Sequence, residues 1–344
     1  MDNPYNELRV SNDALTDAPE LRNRLDDEGY LFFRRLQDPD QLLDLRRQIM
    51  AVCQAGGWLV AGTDPVDGIA DIAHQCTEGH LAYNEVYHQL YRLEAFHQAG
   101  HWAQVMDLLE KIVAGPVLAH PHKIARMWFP QYTAHTTPIH QDFVHFQGVF
   151  ETYTCWTPVG DCPIELGGLA VLPGSHKINA VHQHHFSLGA GGLAIDTDDL
   201  SGEWATTNYQ LGDCLFFPSL TVHQALPNLT PDRLRLSLDN RYQAQAQRII
   251  AEQMLEPHLN GVTPLDWPQV YQGWESEELQ YYWKELDLEV VERNRQWGQQ
   301  SFREALDQAR EGDSDAQYHL RRIVDRVPDS PEGQAAQQVL AQLD

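Results

Sequence analysis

The sequence predicts a mainly β protein with flanking helices, in which an antiparallel sandwich or jelly roll forms the core. From Ala119 onward, short strand-like segments alternate with turn residues, without the βαβ rhythm of a parallel sheet. Residues 233–242 alternate strictly between leucines and polar or charged residues, which is typical of a strand with one face in a core. Helical patterns precede and follow this region. We therefore expect a helical and extended lead-in at 1–118, a jelly-roll core at 119–260 and a C-terminal helical extension at 261–344.

The lead-in carries clear start and stop signals for its second helix. Asp38 can cap a helix whose first turn accommodates Pro39, and Gly56 and Gly57 can end it. The predicted elements are a helix at 21–25, a strand at 29–33, a helix at 38–57, and helices at 81–96 and 102–112 within a mostly helical region at 63–115.

The strands of the core and the helices of the C-terminal extension are predicted from two signals: the hydrophobic period and the residues that favour turns. Aromatic and β-branched residues indicate strands, while Gly, Pro and Asp indicate the turns between them. A glycine- and histidine-containing stretch at 176–201, with His182, His184 and His185, is expected to be a loop that covers the site. The expected strands lie at 123–129, around 140, and at 148–156, 169–172, 204–209, 214–217 and 233–242, and the expected C-terminal helices lie at 277–310, 314–327 and 330–343.

Composition excludes several classes of function. The formal net charge is −25, which disfavours nucleic acid or an anionic membrane as a partner. No apolar run approaches the length of a membrane span, and the polar start of the chain does not resemble a secretory signal. The five cysteines are scattered without a Cys-x-x-Cys pair, which indicates reduced thiols and a cytoplasmic location. The sequence makes no prediction about oligomeric state.

His140 and Asp142 form the motif with the most chemical content. If they lie on a strand, residues i and i+2 face the same side, so the imidazole and the carboxylate can converge while Gln141 faces away. Together they supply two-thirds of the 2-His-1-carboxylate triad that holds non-haem Fe(II). His223 is the candidate for the second histidine. Arg235 and Arg233, on one face of the next strand, are candidates for binding a carboxylate of a cosubstrate.

Several segments in order resemble the phytanoyl-CoA dioxygenase (PhyH-like) family over roughly residues 25–245. They are Thr137-Pro-Ile-His-Gln-Asp-Phe143, Trp156-Thr-Pro158, Gly167-Gly-Leu-Ala-Val-Leu-Pro-Gly-Ser-His176, Gly212-Asp213, His223-(x4)-Asn228 and Arg235-x-Ser-Leu238. The resemblance implies a double-stranded β-helix (cupin-like jelly roll) and an Fe(II)/2-oxoglutarate-dependent dioxygenase that uses O2. It implies that hydroxylation of an unactivated C–H bond releases succinate and CO2.

The resemblance also implies roles for individual residues. His140, Asp142 and His223 would bind iron, and Arg235, which heads the Arg-x-Ser-Leu pattern, would pair with the C5 carboxylate of 2-oxoglutarate; Arg233 remains the alternative. Many members carry a serine at the position of Ala225, so Ser237 is a candidate substitute. Gln141 and Trp156 match positions that line the cosubstrate pocket. Related halogenases lack the carboxylate, so Asp142 favours oxygenation.

Substrate identity is left open by the sequence. Arg126, Trp128, Phe143 and Phe146 are candidates for contact with substrate. No basic cluster suggests a cradle for the phosphates of coenzyme A, so a small or medium-sized metabolite is expected. The alternatives are desaturation or cyclisation with the same residues, a non-catalytic binding or scaffold protein on the same fold, and a cupin-type dioxygenase without a cosubstrate.

Overall fold

The computed structural model describes residues 4–198, 200–259 and 264–343. Its strands are β1 (Asn6–Glu7), β2 (Leu31–Phe33), β3 (Val117–Ala119), β4 (Ile124–Trp128), β5 (Tyr153–Pro158), β6 (Leu169–Val171), β7 (His184–Phe186), β8 (Leu193–Ile195), β9 (Ala205–Thr206), β10 (Cys214–Pro218), β11 (His223–Ala225), β12 (Arg235–Ala244), β13 (Ile249–Ala251) and β14 (Glu289–Val291). Its α-helices are α1 (Ala18–Glu28), α2 (Pro39–Ala55), α3 (Leu81–Tyr91), α4 (Glu94–Ala99), α5 (Ala103–Val113), α6 (Phe143–Phe146), α7 (Trp267–Val270), α8 (Gln296–Arg310), α9 (Ser314–Arg326) and α10 (Pro331–Leu340).

Two sheets form the core of the molecule. The larger sheet has the order β2-β10-β5-β12-β3, with β4 also paired to β12, and the smaller has the order β1-β9-β6-β11. Every pairing in the larger sheet is antiparallel. One apolar cluster joins the two sheets, since it contains Phe217 and Trp156 from the larger and Val171 and Ala225 from the smaller. The predicted jelly roll with flanking helices is confirmed.

The alternation along β12 decides which residues face the site. Leu234, Leu236 and Leu238 belong to an apolar cluster shared with α2 and α3, on the helical side of the larger sheet. Arg235 and Asp239, on the other face, line the cavity described below. The period of two predicted from the sequence is therefore confirmed in space.

The boundaries of α2 in the lead-in agree with the predicted start and stop signals. The Asp38 side chain accepts backbone N–H bonds at the start of α2, Pro39 occupies the first turn, and Gly56 is the C-cap. The single helix expected at 81–96 is instead two helices, α3 and α4, because the chain leaves helical geometry at Leu93, where φ and ψ are −66° and 117°.

The helix expected at 277–310 is wrong in its first half. A 3-10 turn at Tyr282–Glu285 is followed by β14, which pairs in parallel with β13, and α8 begins only at Gln296. Leu286 and Leu288 alternate with charged residues, so the local pattern has the period of a strand. Both leucines pack against the apolar cluster shared with α2 and α3, and β14 follows directly after them.

The loop expected at 176–201 contains a hairpin, formed by β7 and β8. Phe186 of this hairpin belongs to an apolar cluster with Ala305, Leu320 and Val339 of the C-terminal helices. The backbone N–H of Phe186 also donates to Glu304 Oε2 (2.6 Å). The C-terminal helices therefore fix the segment that carries Ala190 and Gly191 to the cavity wall.

Two further expectations concern the whole chain. Among the described residues, no helix combines the length and apolar character that crossing a bilayer requires. All five cysteines are buried free thiols. The division into three regions stays a prediction, and its boundary at 260/261 lies outside the described residues.

Candidate metal centre and active site

Two histidines and one aspartate converge inside the jelly roll. His140 Nε2 lies 3.4 Å and His223 Nε2 lies 3.6 Å from Asp142 Oδ1, and all three residues are buried. Among the described residues, this is the group of His, Cys, Asp and Glu side chains whose ligand atoms are close enough to hold a metal ion. Residues 83 positions apart in sequence are thus brought to one point by β-pairing.

The convergence has a different local cause from the one predicted. His140 forms an isolated antiparallel bridge with His223, with reciprocal backbone bonds of 3.0 and 3.1 Å. Asp142 has left the extended conformation, with φ −61° and ψ −28°, and precedes the short helix α6. A turn, rather than two residues on one face of a strand, therefore directs the carboxylate toward the imidazoles.

Backbone carbonyls orient both imidazoles. His140 Nδ1 donates to Pro138 O (2.8 Å) and His223 Nδ1 donates to Thr221 O (2.9 Å). Because a carbonyl can only accept, the proton is held at Nδ1 and the Nε2 lone pair faces the centre of the group. Burial lowers the pKa of His223 to about 3, so this ring is neutral near pH 7. Imidazoles held in this orientation are suited to binding a metal ion.

The two oxygens of the Asp142 carboxylate make different contacts. Its Oδ2 accepts from Thr154 Oγ1 (2.5 Å) and Arg241 Nη2 (3.3 Å), while Oδ1 faces the imidazoles. Burial by itself would raise the pKa of Asp142, but the Arg241 guanidinium together with His223 and His140 outweighs burial, and the pKa is well below its usual value. The carboxylate is therefore ionised, and two nitrogens plus one carboxylate oxygen fit a non-haem Fe(II) centre.

A cavity of about 770 Å³ opens beside these ligands. The imidazoles, Asp142 and Thr154 lie on its wall, together with Arg235. Its volume falls within the range of sites for small-molecule ligands. The cavity can therefore hold a cosubstrate and a substrate next to the metal ligands.

Arg235 is a buried cation without an ion-pair partner among the described residues. It is 1% exposed, its Nε donates to Gly167 O (2.8 Å) and its Nη1 donates to Ser237 Oγ (2.8 Å). The guanidinium lies 3.8 Å from the centre of the Trp128 ring. Burial lowers the pKa of Arg235 to about 10, which leaves it charged at pH 7. A buried, unpaired charge is costly, so this position fits an anionic ligand such as a carboxylate.

The structure separates the two arginine candidates. Arg233 is about half exposed; its Nη1 donates to the backbone oxygen of Asp67, and its Nε lies 3.8 Å from Asp232. It lies on the same face of the chain as Arg235 by sequence, but it precedes β12 and pairs with Ile69 in an isolated bridge. Only Arg235 of the two lies on the cavity wall.

Two other cosubstrate candidates are placed differently from the predictions. Gln141 is buried, and its amide donates to Ala180 O (3.1 Å) and accepts from the N–H of His182 (2.8 Å), both in the segment 176–201. The amide also donates to Leu220 O (2.9 Å), between β10 and β11. Ser237 is fully buried and holds Arg235 rather than reaching the cavity wall itself. Trp156, in contrast, lies on the wall as predicted, with Arg235 5.7 Å from its ring centre.

The four substrate candidates are also divided. Arg126, Trp128 and Phe146 line the cavity. Phe143 instead packs against Phe150, with ring centres 4.7 Å apart. Phe143 therefore does not lie on the cavity wall.

The sequence alone does not identify several residues that line or support the candidate site. Thr154 shares a strand face with Trp156, two residues on, and that period could have identified it. Arg241 and Asp239 continue the face of Arg235 along β12, so the same period could have identified them. Glu78, which binds Arg126 at 2.5 Å, carries no sequence signal because it comes from a loop distant in the chain.

Comparison with known proteins places these features in context. The chain is 22% identical over 273 residues to a 1-deoxypentalenic acid 11-beta-hydroxylase of Streptomyces arenae, which covers 74% of this chain and 88% of that protein. Identity to the enzyme of the same name from Streptomyces exfoliatus is also 22%, with the same coverage.

Among solved structures, the chain is similar to the epimerase SnoN in complex with Fe3+, alpha ketoglutarate and nogalamycin RO. That match has 18% identity, a TM-score of 0.46, and covers 67% of this chain and 84% of that one. It is also similar to EctD from S. alaskensis with bound Fe, with 17% identity, a TM-score of 0.46, and coverage of 72% and 84%.

The comparison with family models identifies the family of this chain. The family model for phytanoyl-CoA dioxygenase (PhyH) matches residues 25–236, which is more than half of the chain. The matched region contains His140, Asp142, His223 and Arg235. The chain therefore belongs to the phytanoyl-CoA dioxygenase (PhyH) family.

Proposed function

We propose that this protein hydroxylates an unactivated C–H bond of a small or medium-sized metabolite, with release of succinate and CO2. One observation carries the proposal: an oriented His140–Asp142–His223 group and the unpaired cation of Arg235 share one cavity. A metal ligand set alone would suit many enzymes. A buried guanidinium beside it adds the site that a dicarboxylic cosubstrate requires.

Family membership supplies the class of chemistry. The protein is a non-haem iron, 2-oxoglutarate-dependent oxygenase, and its cofactors are Fe(II), 2-oxoglutarate and O2. When bound, these supply the oxidant that removes hydrogen from the substrate carbon and returns a hydroxyl group. The carboxylate at Asp142 favours this outcome over halogenation.

The residues of the chain act by binding, orienting and excluding water. We assign His140 Nε2, His223 Nε2 and Asp142 Oδ1 as metal ligands. The C5 carboxylate of 2-oxoglutarate is assigned to the Arg235 guanidinium, which Trp128 and Ser237 hold in place. Leu169, Phe217 and Ala225 form apolar parts of the wall, which strengthen the electrostatic contacts by limiting water.

The substrate is proposed to be a metabolite rather than a macromolecule. The two bacterial relatives are named as hydroxylases of 1-deoxypentalenic acid. The cavity of about 770 Å³ has the size of a site for a small molecule beside the cosubstrate. A cytoplasmic location is proposed as well, since free thiols are typical of reducing compartments.

Anaerobic titration tests the proposal. We expect Fe(II) followed by 2-oxoglutarate to produce the visible charge-transfer band of the chelate, and exposure to air with a metabolite pool to release succinate. The matched control omits 2-oxoglutarate. Absence of both the band and succinate would exclude the enzyme assignment and favour a binding protein.

Replacing Thr154 with valine tests the orientation of Asp142. The change keeps the shape of a buried side chain but removes the hydroxyl that donates to Oδ2. Loss of such outer contacts typically weakens metal affinity by 10- to 100-fold, so we expect roughly a tenfold lower affinity for Fe(II). Calorimetric titration under anaerobic conditions measures it, and Thr152→Val, which alters a hydroxyl bonded to Val149 O, is the control. Equal affinities in the wild type and Thr154→Val would contradict the assigned contact.

A further inference from the structure

Two arginines from the C-terminal part of the chain lie on the wall of the active-site cavity. Arg293 and Arg295 lie between β14 and α8, well beyond the region of the family match. Both line the same cavity as the metal ligands, at its solvent-exposed mouth. They therefore reach the pocket from a part of the chain that the family model does not match.

The position of this pair relative to the metal ligands is fixed by the residue between them. The Asn294 N–H donates to Gln147 Oε1 (2.7 Å), and Gln147 Nε2 donates to Asn294 O (2.9 Å). Gln147 is the C-cap of α6, whose N-cap is Asp142. This double amide bond ties the two arginines to the same short helix as the carboxylate ligand, so they are held at a set distance from the centre of reaction.

Neither guanidinium of the pair forms an ion pair within the described residues. The carboxylate of Glu252, which also lies on the cavity wall, accepts a backbone bond from Arg293 (3.4 Å) and offsets part of the charge of Arg293. Arg295 also directly precedes the first turn of α8, where the positive end of the helix dipole lies. The net charge of −25 would repel an anion at long range, so capture of an anionic substrate requires a local cluster of positive charge.

We propose that Arg293 and Arg295 bind an anionic group of the substrate, a carboxylate or phosphate, and so present an anionic metabolite to the metal centre. This inference rests on the proposed hydroxylase function and names the class of its substrate. The anionic end lies at the mouth and the carbon to be oxidised lies deeper, next to His140 and His223. Discrimination arises because an uncharged analogue cannot form the charge-assisted hydrogen bonds that the two guanidinium groups offer to an anion.

Binding of matched probes to the Fe(II)- and 2-oxoglutarate-loaded protein, without oxygen, tests this inference. Octanoate, octyl phosphate and octan-1-ol share one chain and differ in head group. Ligand-observed NMR is expected to show at least one anion bound roughly tenfold more tightly than the alcohol, since hydrogen bonds to charged groups are worth that much. The anion bound more tightly of the two identifies the head group as carboxylate or phosphate.

The double variant Arg293→Gln/Arg295→Gln is expected to lose this preference while its affinity for octan-1-ol stays the same. Arg303→Gln/Arg310→Gln is the matched control, because it removes the same charge from exposed positions of α8 away from the cavity. Three outcomes overturn the inference: no anion binds to the wild type, the alcohol binds as well, or the double variant keeps the preference. The charge-transfer band and succinate release are recorded on the same samples, so failure of the hydroxylase proposal is recognised separately.

Discussion

Replacing Asp142 with asparagine is expected to abolish hydroxylation and to lower the affinity for Fe(II) by more than roughly 100-fold. Loss of an outer contact to a ligand costs up to about 100-fold, and this change removes a ligand charge itself. The asparagine keeps the size of a side chain that is 2% exposed and bonded to Thr154. Anaerobic Fe(II) titration and succinate release measure the two effects.

Folding must be monitored alongside, because the same carboxylate balances the buried Arg241. Removing one partner of a buried ion pair typically destabilises a protein by about 3–5 kcal/mol. We therefore expect Asp142→Ala to lower the free energy of unfolding more than Asp142→Asn, which retains polar contacts. If the folded asparagine variant binds iron and turns over like the wild type, the metal site has been misassigned.

Replacing Arg235 with methionine is expected to raise the KM for 2-oxoglutarate by roughly 100-fold, equivalent to about 2.7 kcal/mol. The guanidinium offers a charged, bidentate contact to the C5 carboxylate, which no other cavity cation replaces from the same place. Methionine preserves much of the volume against Trp128 and removes a costly buried charge, so the fold should persist. Steady-state kinetics at fixed Fe(II) measure the effect.

Arg233→Met is the matched control for this prediction. It makes the same chemical change two residues earlier, at a half-exposed position, and is expected to leave the KM within experimental error. A dioxygenase without cosubstrate would show little loss in Arg235→Met. The reverse result, with Arg233→Met impaired and Arg235→Met normal, would move the anchor to the other arginine.

The two variants probe residues that the sequence could identify for a shared reason. The His-x-Asp motif supplies an imidazole and a carboxylate, and the chain adds a distant histidine and an arginine on a strictly alternating strand. This combination of side chains has few uses other than a metal site with a bound carboxylate. All four residues also lie within the region that the family model matches. Residue chemistry and strand period are local properties, so they can be recognised without coordinates.

Other parts of the site depended on contacts that local pattern does not encode. Gln141 matched a family position, but its amide binds the segment 176–201. Ser237 lies on the face of Arg235 but is covered by it, so the shared face did not imply access to the cavity. Arg233 and Arg235 occupy equivalent positions in the sequence period and differ in burial. That difference follows from where β12 begins, at Arg235, and the sequence does not show this boundary.

By itself, then, the sequence determined the jelly-roll class, the three candidate metal ligands and the alternation that brings Arg235 to the site. Tertiary structure alone decided how Asp142 turns toward the imidazoles, which side chains hold it, and that residues 293 and 295 reach the same cavity. The physical reason is the distance along the chain over which each kind of interaction acts. Propensity and side-chain chemistry act within a few residues, whereas a cavity wall is assembled by packing between segments more than one hundred residues apart, such as Gln147 and Asn294.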